Sequence, residues 1–128
     1  MDEKTLMSEE EIHNFGIEIV FGDIKEQGFE ILKINKNIET IPQIVCKQND
    51  ELCLIIVRTK CYPGRGLLDP MVKEDILNHA KKMNANAYFA SVGIANSDGE
   101  NEADMSIPVK GAGFYVAYEG LEPIQIDT

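Results

Sequence analysis

The stretch QIVCKQNDELCLIIVRTK, residues 43–60, limits what this chain can become more than any other. Two apolar runs flank Asn49-Asp50, residues that accept the left-handed backbone of a two-residue turn, so the segment predicts a β-hairpin. With that pair at the turn, Gln48 faces Glu51, Cys46 faces Cys53 and Gln43 faces Ile56. Side chains alternate, which puts Gln43, Leu54, Ile56 and Arg58 on one face. Cys46, Cys53, Ile55 and Val57 share the other. The run CLIIV is apolar on both faces, as in a strand at the centre of a sheet covered on both sides.

Elements on either side of the hairpin can be placed from their ends. Ser8 followed by Glu11 is a capping box, so a helix starts at Glu9. Ile12, Phe15, Ile19 and Val20 then recur at helical spacing, and the run ends near Gly28. FEILKIN (29–35) reads as a strand closed by the turn Asn35-Lys36-Asn37, and the hairpin strands span 40–48 and 51–61. In the loop CYPGRGLLDP (61–70), Asp69 is an N-cap and Pro70 the first helical residue. The helix runs from Pro70 to about Met83, with Val72, Ile76, Ala80 and Met83 on one face. Lys81 and Lys82 at its end suit the helix dipole. AYFASVGIA (87–95) is a strand, NSDGENEAD (96–104) an acidic surface loop and GFYVAYEG (113–120) a final strand. The predicted class is α/β, in the order αβββαββ, with a mixed central sheet flanked by helices. Residues 1–7 are expected to form a flexible acidic tail, and 8–128 a single domain large enough to bury a core.

Composition excludes several classes. No apolar run approaches the roughly 20 residues of a membrane span, and MDEKTLMSEEE lacks the basic and apolar regions of a signal peptide. The default expectation is a cytoplasmic protein with no membrane partner. Cys46, Cys53 and Cys61 are odd in number and lack a C-x-x-C spacing, so they are expected to act as small buried hydrophobes. The net charge of -10 disfavours a non-specific nucleic-acid binder. The charge is uneven. Residues 1–30 carry nine acids against two Lys, residues 31–95 nine Lys or Arg against six acids, and residues 96–128 seven acids against one Lys.

Taken in order, these motifs resemble the PD-(D/E)xK nuclease superfamily, the restriction-endonuclease-like fold, and above all its small resolvase-like members. Gly28-Phe29-Glu30-Ile31-Leu32 with Asn35 stands where that family has its first strand. Pro42-Gln43-Ile44-Val45 stands in place of the segment carrying a metal-binding Asp. Ile55-Ile56-Val57-Arg58-Thr59-Lys60 stands in place of the E-x-K strand. The resemblance implies a metal site made by the Asp and the Glu, with the Lys helping to activate water. Here Gln43 offers a neutral carbonyl, Ile56 offers no ligand, and Arg58 cannot serve as a base because its pKa stays above about 12.

The vestigial positions are therefore Glu18, Gln43, Ile56 and Arg58, with no catalytic residue, metal or cofactor expected. Glu18 lies near where an acid on the family's first helix completes the site, and an Arg58–Glu18 ion pair is expected as its remnant. The leading expectation is a catalytically inactive nuclease-fold protein kept for protein binding or self-assembly. One alternative is an active nuclease whose acids have moved, with Glu18, Glu30 and Glu39 available. Another is a nucleic-acid-binding pseudo-nuclease using Lys47, Arg58, Lys60 and Arg65. PGRG (63–66) lacks the Lys-Ser/Thr of a phosphate loop, the 96–104 loop lacks the spacing of a calcium loop, and His79 is expected to be a surface or packing residue.

Overall fold

A computed structural model of the chain describes residues 6–111 and 113–125. Helix α1 (Glu9–Glu26) starts on the expected capping box, with Ser8 and Glu11 each bonding the other's backbone N–H. Gln27 caps it, and Gly28 follows at φ +92°, a left-handed backbone that glycine adopts without strain. Strands β1 (Glu30–Ile34), β2 (Ile44–Gln48) and β3 (Glu51–Cys61) come next. Helix α2 (Pro70–Met83), β4 (Asn86–Asn96), the short α3 (Glu102–Met105), β5 (Phe114–Ala117) and β6 (Glu122–Pro123) complete the order.

The sheet runs β1-β2-β3-β4-β5, with β6 also on β4. Only β3 and β4 are parallel, joined through α2, so the sheet is mixed. Among the described residues six strands replace the five expected, because Glu122–Pro123 bonds to β4 over only two residues and carries no strand pattern of its own. The acidic 96–104 stretch holds the start of α3, capped by Asn101 accepting from the Asp104 N–H. Residues 1–5 lie outside the described residues, while Leu6 bridges Val109 and the Met7 N–H donates to Pro108.

The hairpin has the predicted register. Asn49 and Asp50 take φ values of 52° and 66°, and Cys46 pairs with Cys53 and Gln48 with Glu51. Strand β2 begins only at Ile44, four residues later than expected, because 35–43 forms a loop held by its own side chains. Each face of β3 is covered by one helix. Ile17, Val20 and Ile24 of α1 pack with Ile44, Cys46, Cys53, Ile55 and Val57. Ile76 and Ala80 of α2 pack with Leu54, Ile56, Ala87 and Phe89. Burying two such clusters is the main favourable term in folding a chain of this size.

The buried stripe of α1 is His13, Gly16, Ile17, Val20 and Ile24. Of the expected Ile12, Phe15, Ile19 and Val20, Val20 lies in this stripe and the other three flank it, partly buried; the Phe15 ring lies 5.3 Å from that of Phe114 on β5. Gly16 permits this close crossing, since a Cβ there would overlap Thr59 Oγ1. Met83 is exposed instead of closing the face of α2, because the helix ends there and Asn84 turns left-handed at φ 53°.

Candidate functional site at the open end of the hairpin

Beyond the Ile44–Ile55 pair, β3 continues for six residues with β4 on one side and no strand on the other. The loop 35–43 fills that side, and Gln43 fastens it. The Gln43 N–H donates to the Ile55 carbonyl at 2.9 Å. Its side-chain Oε1 accepts from the Val57 N–H at 3.0 Å, and its Nε2 donates to the Thr40 carbonyl at 2.9 Å and the Asn37 carbonyl at 3.4 Å. Gln43 is 0% exposed. Its amide thus takes the place of a strand neighbour, satisfying a β3 donor that would otherwise be buried and unpaired.

Ile56 is also 0% exposed and belongs to the cluster under α2. The next residue on that side, Arg58, is half-buried. Its Nη1 donates to the Val57 carbonyl at 3.0 Å and its Nη2 to the Ile38 carbonyl at 3.4 Å. Burial pulls the guanidinium below its ordinary pKa, and Asp69 at the start of α2 opposes the shift.

Glu18 is exposed on α1, and no ion pair joins it to Arg58 among the described residues. The expected remnant pair is therefore absent. The reason is the choice of faces: α1 covers Ile55 and Val57, whereas Arg58 alternates with Leu54 and Ile56 beneath α2. Glu30 and Glu39 are exposed as well. Among the described residues, no three His, Cys, Asp or Glu side chains are grouped to hold a metal ion.

What the fold does bring to this end is His13. An open cleft of about 540 Å³ runs between the first turns of α1 and the 35–43 loop, lined by Glu9, Glu10, His13, Lys36, Asn37, Ile38 and Glu39. His13 is only 3% exposed, and neither ring nitrogen has a hydrogen-bond partner. Burial holds its pKa below the ordinary imidazole range, and the Arg58 charge lowers it further. Sequence reasoning passed over this residue. The available signal was its spacing: His13, Ile17, Val20 and Ile24 fall on one helical stripe, with a polar ring where an apolar side chain would do.

The cysteines behave as small apolar residues. Cys46 and Cys53 are buried, Cys61 is half-buried, and burial raises all three thiols, Cys46 to about 12. No described helix is long and apolar enough to cross a membrane. A family model described as a domain of unknown function, DUF8840, matches residues 10–124. No curated protein matches the chain.

Proposed function

The chain belongs to the DUF8840 family, and from the hairpin geometry we propose that it is a non-catalytic domain of the restriction-endonuclease-like fold, serving as a protein-binding or self-associating module. The order αβββαβ, the parallel β3–β4 pair and the helices on opposite faces support the fold reading. Fold alone does not select a function. The observation that carries the functional reading is the state of Gln43: its carbonyl oxygen is bonded to the Val57 N–H, and both of its donors hold the adjoining loop. A side chain so committed is a structural clamp. Ile56, buried in β3 under α2, adds no oxygen with which a hard cation could be neutralised.

The nucleic-acid alternative loses part of its charge to the fold, since Arg58 donates to the Val57 and Ile38 carbonyls. The relocated-acid alternative finds Glu18, Glu30 and Glu39 exposed, and among the described residues no three His, Cys, Asp or Glu side chains are grouped to hold a metal ion.

The test is calorimetric titration of the full chain with Mg²⁺ and Mn²⁺, with and without short duplex DNA, followed by a cleavage assay. Sedimentation at increasing protein concentration reads self-association on the same samples. The expected result is no specific metal uptake and no cleavage. A micromolar Mn²⁺ site, or cleavage lost in Glu39→Gln, would overturn the reading.

A further inference from the structure

We infer that the outer side of β5 docks an extended, basic segment of another protein, which pairs with Phe114–Ala117 as an added strand. The inference rests on the reading of the chain as a protein-binding module. The sheet ends in two outer strands, β1 and β5. Strand β1 is blocked: its register slips between Ile31 and Lys33, and charged Glu30 and Lys33 are exposed along it. Both features discourage a further strand from pairing. The open side of β3 is filled by the 35–43 loop. Phe114–Ala117 has none of these defences. It contains no proline or charge, keeps an unbroken register with β4, and has no strand on its other side among the described residues.

The register says which backbone groups are free. Just outside the β4–β5 ladder, the Ser97 N–H donates to the Gly113 carbonyl at 2.9 Å. Alternation then makes Ala95–Tyr115 and Gly93–Ala117 the hydrogen-bonded pairs, so the N–H and C=O of Phe114 and Val116 point away from β4. Side chains supply a surface beside them. Tyr115 is 62% and Val116 45% exposed. Tyr115 and Ala117 border an open groove of about 280 Å³ that Gly93, Ala95 and Met105 also line. The small residues there leave room for apolar side chains on one face of an added strand.

Charge selects the occupant. At one end of β5, exposed Asp98 accepts from the Gly113 N–H at 3.4 Å; at the other stands exposed Glu119, no closer than 3.9 Å to Arg65. Glu100, Glu102 and Glu122 are exposed as well. Residues 96–128 carry seven acids against one Lys, and that residue, Lys110, is paired with Glu11. A second copy, with its own net charge of -10, would set like charges against each other at both ends of the strand. A segment with Lys or Arg on either side of a short alternating run meets opposite charge instead.

The experiment is an NMR titration of the full chain with two peptides that share a Thr-Val-Thr-Val-Thr run. One is flanked by Lys-Lys at each end, the other by Glu-Glu. The Lys-flanked peptide is expected to shift the amides of residues 114–117 and to slow exchange at Phe114 and Val116. It should bind roughly tenfold tighter than the Glu-flanked one at low salt, with the gap narrowing as salt rises. Val116→Pro removes an outward donor while keeping the bonds to β4, and should weaken binding by about tenfold or more. If that variant does not fold, the unchanged protein is titrated with the Lys-flanked peptide N-methylated on alternate residues, in either phase; one phase should abolish binding. No shift of residues 114–117 at millimolar peptide, equal affinity for the two peptides, or binding that survives the proline or both methylations would overturn the docking strand. A dimer in sedimentation that Val116→Pro dissolves would give this side of β5 to a second copy and overturn the basic partner. Metal uptake with DNA cleavage would sink the non-catalytic reading whatever the titration shows. A chain with neither activity that leaves the peptide unbound would sink the docking strand alone.

Discussion

Replacing Gln43 by Leu tests whether this residue is a clamp or part of a site. Leucine is close to glutamine in size, so the change removes polar bonds while leaving little cavity. The Val57 N–H, bonded at 3.0 Å, loses its acceptor and stays buried. Stranding such a donor costs about 1–3 kcal/mol. The Thr40 and Asn37 carbonyls lose Nε2, at about 0.5–1.5 kcal/mol for a good neutral bond, with the 3.4 Å contact at the weak end. The expected loss is about 2–5 kcal/mol, read as a lower urea midpoint at unchanged slope, together with faster exchange at the Val57 amide. Gln43→Glu refines the test. Its carboxylate can still accept from Val57, but its second oxygen meets the Thr40 and Asn37 carbonyls, so the folded state favours the protonated acid. A folded-state pKa above the unfolded value near 4.3 makes the penalty small at low pH and larger as pH rises beyond that value. If Gln43→Leu costs under about 0.5 kcal/mol, or if Gln43→Glu is most stable at neutral pH, Gln43 is not a clamp and its position is open to a ligand.

Three further outcomes follow from the same geometry. Ile56→Ala should cost about 2–5 kcal/mol in chemical denaturation, as for a fully buried aliphatic side chain between β3 and α2; a loss below about half a kcal/mol would mean that this face is open. Arg58→Met and Glu18→Leu should be additive within about 0.5 kcal/mol in a double-mutant cycle, because no ion pair joins them; a coupling above 1 kcal/mol would restore the pair. In native protein, alkylation should label half-buried Cys61 before Cys46, whose thiol burial raises to about 12, and labelling should speed up as pH rises; equal rates at Cys46 and Cys61 would contradict the packing.

The hairpin, the caps of α1 and α2, and the central strand were legible in the sequence because local chemistry decides them. Asn49-Asp50 admits a left-handed turn, Ser8 and Glu11 close a capping box, and Asp69-Pro70 opens a helix. Alternation along β3 separates two faces but does not say which helix covers which, and that missing fact produced the expected Arg58–Glu18 pair. Residues 40–43 of the 35–43 loop were read as strand because apolar Ile41 adjoins the run that follows. The loop's shape rests on side-chain bonds from Asn35, Asn37 and Gln43 that no pattern of hydrophobicity displays. His13 was missed for a related reason: a polar ring in a buried stripe has meaning only once its neighbours are known.

The early end of β2 has a consequence for how this protein avoids its own kind. From Val57 onward, the central strand is an edge strand on one side, deep in the sheet and rich in β-branched residues. Bare edges of that sort accept a strand from another chain and seed aggregation. Here one glutamine amide and one guanidinium stand guard, the first saturating the Val57 N–H and the second tying the covering loop across it. Loosening that loop by substitution uncovers a template for strand addition in the middle of the sheet. Aggregation of Gln43→Leu would then follow the opening of residues 36–40, well before the core itself unfolds.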